Sequence, residues 1–143
     1  MRALTIRQPY ADAIVWGTKR TENRSRPIPA AHLGTTILIH AAKAPHASGV
    51  VASDFTNATW PDTRSAIIGT AVLDSCHQAT DDCCTPWGVV GHWHWQLRDC
   101  RPLLRPVPAA GALGLWAPSH DVLYDVQVQF WEPTQTAPAG AAS

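Results

Sequence analysis

Runs of apolar residues along the chain predict several short β-strands. Residues 35–40 and 66–74 are continuous β-branched and aliphatic runs, as expected for strands buried on both faces. Residues 93–97 alternate instead, with tryptophan and leucine on one face. The predicted strands are residues 3–7, 35–40, 66–74, 93–97 and 123–131. Since residues 123–131 alternate again, we expect the last of these strands to close the sheet.

One short helix interrupts this β pattern near the N-terminus. Residues 10–15 place apolar side chains at helical spacing, so that one side can face a core. Pro9 suits a first helical turn, and Gly17 is placed for a left-handed helix stop. The chain then passes directly into four charged residues, which are Lys19, Arg20, Glu22 and Arg24. The pattern therefore predicts a rigid base that presents a compact set of charges.

The number of short strands, with little helix and no repeat, predicts the fold class. We expect an α+β, mainly β domain: a small, partly closed β-barrel with one or two flanking helices. The domain should span residues 1–132, and the Ala/Pro-rich residues 133–143 should form a disordered tail. Mouths of such barrels are natural ligand sites.

Composition narrows the class of protein. A chain of 143 residues fits one domain with a real core, and monomers are favoured. No apolar run is long enough to span a bilayer, and the N-terminus lacks the apolar region of a signal peptide. We therefore expect a cytoplasmic protein without a membrane partner, whose four cysteines are thiols. No cofactor motif is present.

Charge is unevenly distributed although the net charge is zero. Residues 1–43 contain seven basic and two acidic residues, a balance of +5, whereas the remainder contains four basic and nine acidic residues, a balance of −5. This polarity favours an anionic ligand near the N-terminal half. The alternative is a surface that is mixed once the chain has folded.

Several segments, taken in order, resemble the ASCH domain family, relatives of the PUA fold. The segments are Gln8-Pro9-Tyr10, the run Gly17-Thr18-Lys19-Arg20-Thr21-Glu22-Asn23-Arg24, and residues 37–43, 66–76 and 93–116. The resemblance covers roughly residues 4–118 and implies a PUA-like barrel. It also implies a cleft that takes single-stranded RNA or a modified nucleoside.

The resemblance identifies candidate ligand-binding residues around one cleft, namely Gln8, Lys19, Arg20, Glu22, Arg24, Lys43 and Trp116. Lys19 would meet a phosphate or a carbonyl, and Glu22 would orient it or accept a hydrogen bond from a base edge. Arg24 follows Glu22 by two residues and would point the same way. It either holds a phosphate bidentately or forms a salt bridge that only fixes the loop. A nearby aromatic ring would stack on a base.

Two other classes of function stay open. The first is a hydrolase on the same cleft, acting on N4-acetylcytidine or on RNA, with Lys19, Glu22 and Asp74 as candidate catalytic residues. Amidohydrolases of the family that act on acetylated cytidine carry Lys-x-x-Thr and a further glutamate, whereas this chain has Glu22 in place of the threonine. The second is a protein-interaction module in transcription or translation regulation.

The chain also contains cysteines and histidines that are potential metal ligands. Those concerned are His77, Cys83, Cys84, His92 and His94. No Cys-x-x-Cys pair is present, and the adjacent Cys83 and Cys84 are not expected to share one tetrahedral ion. The sequence therefore predicts no metal site.

Overall fold

The computed structural model describes residues 1–47, 59–81 and 83–130. The predicted tail at residues 133–143 lies outside the described residues. No helix among the described residues is long and apolar enough to cross a membrane.

Within the described residues, six strands form one mixed sheet in the order β2-β5-β4-β3-β1-β6. The strands are β1 (Ala3–Ile6), β2 (Thr21–Arg24), β3 (Thr36–Ala41), β4 (Ala66–Gln78), β5 (Trp93–Pro108) and β6 (Leu115–Trp116). β1 and β3 are parallel, and every other neighbouring pair is antiparallel. The helices are α1 (Tyr10–Val15) and α2 (residues 120–130), with a short 3-10 helix at Ala30–His32. The predicted mainly β class is thus confirmed.

The sheet stays open between β1 and β2. In the described part of the chain no ladder joins the edge strands β2 and β6. Strand β6 is two residues long and pairs only with Ala3 and Leu4. Beyond β6, the carbonyl of Thr5 accepts a hydrogen bond of 3.0 Å from Nη2 of Arg24 on β2. The predicted partial closure consists of this side-chain bridge across the seam.

Helix α1 covers one face of the sheet. Its residues 11–15 are all buried, and Ile14 joins the larger core cluster with Ile37 and Ile39 of β3. The helix does not end on a left-handed glycine as expected, since the φ angle of Gly17 is not positive. Glycine is required there for space, because a Cβ would lie 2.8 Å from the Trp60 ring and 2.8 Å from a helix carbonyl.

The prediction of a last strand at residues 123–131 is wrong, because residues 120–130 form helix α2. The apolar residues in this segment fit both the two-residue period of a strand and the 3.6-residue period of a helix. As a helix, the segment places Val122, Val126 and Gln129 toward the sheet. Val126 is fully buried against the face opposite α1. Gln129 binds both the N–H and the C=O of Arg105 at 2.8 and 2.9 Å. These two hydrogen bonds satisfy backbone groups of β5. At the other end of the helix, the Ser119 hydroxyl acts as a cap by accepting a hydrogen bond from the N–H of Val122.

Candidate functional site

A cleft of about 450 Å³ opens at the seam between β1 and β2. Its walls come from β1 and the segment that follows it, from β2 with the preceding lysine, from His46 after β3, and from the β4–β5 loop (described at residues 79–81 and 83–92). The lining residues are Thr5, Ile6, Arg7, Tyr10, Lys19, Glu22, Asn23, Arg24, His46, Trp87, Val89 and His92. The cleft thus combines charged groups with aromatic rings in a single hollow.

Lys19 lies at the base of this cleft with only 2% of its surface exposed. Its Nζ donates a hydrogen bond to the carbonyl of Thr21 and lies 3.9 Å from Oε1 of Glu22. The same Nζ is 5.5 Å from the ring centroid of Tyr10 and 5.5 Å from that of Trp87. Both distances are within the range of cation–π contacts. The ammonium thus lies within cation–π distance of both rings.

Burial is the main influence on the charge of Lys19. Loss of solvent lowers the pKa of its ammonium, the carboxylate of Glu22 opposes that shift, and the guanidinium of Arg24 adds to it. Because the pKa is lowered overall, the attraction of the ammonium to Glu22 does not fully offset the cost of its desolvation. An ammonium in this state gains from any ligand oxygen that replaces its lost water.

Glu22 and Arg24 form a fixed ion pair in the wall of the cleft. Nη2 and Nε of Arg24 lie 2.8 and 2.9 Å from the same oxygen, Oε2, of Glu22. The two residues alternate along β2 and so point the same way, as predicted. Arg24 also bridges to the carbonyl of Thr5, yet 27% of its side chain stays exposed. It therefore fixes the seam while presenting charge to the cleft.

Trp87 is a cleft residue that sequence reasoning missed, as is Tyr10, which was expected to face the core. Trp87 lies in the β4–β5 loop, and its backbone carbonyl accepts a hydrogen bond of 2.9 Å from Nδ2 of Asn23. Oδ1 of Asn23 in turn accepts the N–H of Val89 at 2.8 Å. Asn23 on β2 thus holds the loop at two nearby positions, Trp87 and Val89. No sequence motif marks Trp87, because it reaches Lys19 only through these long-range contacts.

Comparison with known proteins supports one family. The ASCH domain profile matches residues 4–92, which is more than half of the chain. The chain belongs to the ASCH domain family. A search of the curated proteins finds no significant match.

Solved structures agree on the fold. The crystal structure of ASCH from Zymomonas mobilis matches with a TM-score of 0.55 and 19% identity, over 89% of this chain and 93% of that one. Two point mutants of the same Zymomonas protein match with TM-scores of 0.55 and 0.54, again at 19% identity and over 89% of this chain. The match covers 96% of the first mutant chain and 94% of the second. Similarity at this level of identity shows a shared fold.

Two predicted site residues of the ASCH domain serve helix α1 instead of the cleft. Gln8 is 1% exposed; its Oε1 accepts the N–H of Asp12 at 3.0 Å, and its Nε2 donates to the carbonyl of Thr63 at 2.9 Å. Nη1 of Arg20 donates to three carbonyls at the end of α1 and just beyond it, at 3.0 to 3.3 Å. Neither side chain belongs to the cleft lining. Both position α1 and the loop that carries Lys19.

Lys43 lies beside the cleft rather than in it. It lines a neighbouring hollow of about 630 Å³. The two hollows share Thr5, Arg7 and Arg24. A ligand that extends past Arg24 would therefore reach Lys43 along a continuous basic path.

Trp116 and Asp74 also lie outside the cleft lining. Trp116 donates from Nε1 to the hydroxyl of Thr5 at 2.9 Å and meets the ring of His40 edge-on at 5.4 Å. It therefore packs behind β1 and does not form the cleft floor. Asp74 is half exposed and pairs with Nε of Arg98 at 2.9 Å. The predicted catalytic set is thus only partly assembled, because Asp74 does not join Lys19 and Glu22.

The cysteine and histidine residues form a separate cluster below the β4–β5 loop. Ligand atoms of His77, Cys83, Cys84 and His94 all lie within 4.8 Å of one another. The two adjacent cysteines therefore do approach a common point, contrary to the expectation from their spacing. Hydrogen bonds from Thr80 and from His77 lower the pKa of the Cys83 thiol to about 6.

Proposed function

We propose that this ASCH domain binds single-stranded RNA, or a modified nucleoside, through the cleft at the β1–β2 seam. The observation that carries the proposal is the buried ammonium of Lys19, which lies within cation–π distance of the rings of Tyr10 and Trp87 and beside the carboxylate of Glu22. The cleft volume of about 450 Å³ lies within the range of about 300–1,000 Å³ that is usual for small-molecule sites.

The lining chemistry matches the parts of a nucleotide. The aromatic residues Tyr10 and Trp87 line the cleft, and stacking of a base on an aromatic ring is worth about 1–3 kcal/mol per base. Lys19 meets a carbonyl oxygen of that base or a phosphate, because its remaining N–H donors need an acceptor. Arg24 and, beyond it, Lys43 follow the backbone of the strand. Recognition of an unstacked base in this way is the usual mode for single-stranded RNA.

Binding of a fluorescent single-stranded RNA, followed by anisotropy, tests the proposal. Lys19→Met should reduce the affinity at least tenfold, and raising the salt concentration should weaken binding of the wild type. Arg98→Met is the matched control, because it removes the same charge at a half-exposed site outside the cleft lining. Equal affinity of Lys19→Met and wild type would refute the assigned role of the cleft, and affinity that ignores salt would favour a protein-interaction module.

One observation favours a second candidate, a hydrolase that removes an acyl group from a nucleoside. Desolvation lowers the pKa of Lys19, which moves it toward the range of a general base. Incubation with N4-acetylcytidine, followed by mass spectrometry, separates this candidate from simple binding. Conversion to cytidine that Lys19→Met abolishes would support the enzyme, whereas an unchanged substrate with retained RNA binding supports the binding module.

A further inference from the structure

The cluster of two cysteines and two histidines lies at the root of the β4–β5 loop. His77 near the end of β4 and His94 near the start of β5 are cross-strand neighbours, with ring centroids 5.2 Å apart. The loop returns to this point and places Cys83 and Cys84 against both imidazoles. His94 is fully buried, and both cysteines are half-buried. The four side chains therefore converge from two strands and the loop between them.

Distances within the cluster resemble those of a tetrahedral zinc site. Zn–S bonds of about 2.3 Å and Zn–N bonds of about 2.0 Å set sulfur and nitrogen ligands about 3.5 Å apart. Sγ of Cys83 lies 3.6 Å from Nε2 of His77 and 3.2 Å from Nδ1 of His94. Sγ of Cys84 lies 3.4 Å from the same Nε2 of His77. Every other pair of ligand atoms is within 4.8 Å, a separation that side-chain rotation can shorten.

The backbone explains how neighbouring cysteines point to one place. Cys84 has a φ angle of +59°, in the left-handed region that non-glycine residues rarely adopt. Such conformations concentrate at functional sites, where the surroundings hold them in place. The loop then closes tightly over the cluster at Gly88. A Cβ there would lie 2.5 Å from the carbonyl of Cys83 and 2.6 Å from the ring of His94.

The outer contacts are those that support metal ligands. The second ring nitrogen of His94, Nε2, lies 2.9 Å from the carbonyl of Val89, which leaves Nδ1 directed at the cluster. The backbone N–H of Thr80 donates to Sγ of Cys83 at 3.3 Å, and Nε2 of Gln96 donates to Sγ of Cys84 at 3.1 Å. N–H donors of this kind stabilise thiolates, which are the form of cysteine that binds metal.

We propose that His77, Cys83, Cys84 and His94 bind one zinc ion in a closed site that fixes the β4–β5 loop. Two thiolates and two imidazoles are a usual ligand set for structural zinc, and four protein ligands leave no position open for catalysis. The same loop carries Trp87 to its place 5.5 Å from Nζ of Lys19. The ion therefore fixes one wall of the cleft from below, while Asn23 holds that wall from β2.

The test is the metal content and cobalt spectrum of the full-length chain. Purified protein should contain about one zinc per chain by mass spectrometry. Cobalt in its place should give the intense visible bands of a tetrahedral ion and a thiolate charge-transfer band. Cys84→Ser should lose the charge-transfer intensity and the zinc, whereas Cys100→Ser should keep both, because Cys100 lies outside the cluster.

Unfolding of the Cys84→Ser protein would not obscure the result, because the cobalt spectrum of the wild type decides the matter alone. Zinc content far below one per chain after incubation of the reduced protein with zinc, or an octahedral cobalt spectrum, would each overturn the proposal. Removal of zinc should also speed hydrogen exchange in residues 83–92 of the loop.

The consequence for RNA rests on the proposed function, whereas metal binding and loop protection do not. Zinc-free protein should bind RNA more weakly than zinc-loaded protein. If zinc binds and protects the loop but neither form binds RNA, the zinc site stands and the proposed function fails.

Discussion

Replacing Lys19 with methionine should leave the fold intact, although the side chain is almost fully buried. At 3.9 Å and an effective dielectric of about 20, the attraction between Lys19 and Glu22 is about 4 kcal/mol. Desolvation of the ammonium costs several kcal/mol, and the lowered pKa of Lys19 indicates that this cost exceeds the attraction. After the change Glu22 keeps Arg24 at 2.8 Å. The free energy of unfolding should therefore fall by no more than about 1 kcal/mol, or rise.

Glu22→Gln is the informative counterpart. It removes the carboxylate and leaves two cations, the buried Lys19 and the partly exposed Arg24, without their anion. Loss of one partner from a buried ion pair usually costs about 3–5 kcal/mol. Urea denaturation of the three proteins gives the comparison. A loss of about 3 kcal/mol or more in Lys19→Met would show that the ammonium holds the fold together, which would refute the reasoning.

The same pair of proteins, wild type and Lys19→Met, gives a pH dependence with a defined sign. The pKa of Lys19 is lower in the folded state than its unfolded value of 10.5, so the unfolded chain binds more protons between those two values. The cost of burying Lys19 is therefore complete below the folded pKa and disappears as the pH rises toward 10.5. Relative to Lys19→Met, the wild type should gain stability as the pH rises from the folded pKa of Lys19 toward 10.5. A relative loss over that range would contradict the assigned direction.

Two further changes test the loop anchor and the last helix. Asn23→Ala removes both hydrogen bonds to the loop that carries Trp87, so the affinity for RNA, measured by anisotropy, should drop about tenfold. The free energy of unfolding should fall by only about 1–3 kcal/mol. Unchanged affinity would show that Asn23 does not position this loop for RNA binding. Val126→Ala should cost about 2 kcal/mol by thermal denaturation, whereas Tyr124→Ala, at a residue that is 67% exposed, should change stability by less than about 0.5 kcal/mol. Equal effects of the two would contradict a helix packed on the sheet by one face.

Local sequence patterns were enough to predict the parts of the site that lie close together in the chain. Lys19, Glu22 and Arg24 fall within six residues, and strand alternation makes Glu22 and Arg24 share a direction. The observed ion pair of 2.8 Å shows this shared direction, whereas the roles of these residues in ligand binding stay a prediction. Side chains with roles in the scaffold were harder to separate from ligand contacts. Gln8 and Arg20 belong to the same local motif, yet both bind backbone groups instead.

The parts that depend on distant contacts were not predictable. Trp87 reaches the cleft because Asn23, which precedes it by 64 positions, binds its backbone. The cysteine–histidine cluster depends on the cross-strand pairing of His77 with His94 and on a left-handed backbone at Cys84. Spacing rules derived from common zinc motifs do not include such an arrangement. The secondary structure of residues 123–131 was ambiguous for a different reason, since their apolar residues fit the hydrophobic pattern of both a strand and a helix.

A crystal structure of the protein with a short single-stranded RNA tests the role of the cleft most directly. We expect one base in the cleft, stacked on the ring of Tyr10 or of Trp87, with an oxygen of the ligand within hydrogen-bond distance of Nζ of Lys19. The strand should leave the cleft past Arg24 toward Lys43. RNA bound on another face, with the cleft empty and Lys19 in contact only with Thr21 and Glu22, would contradict that role.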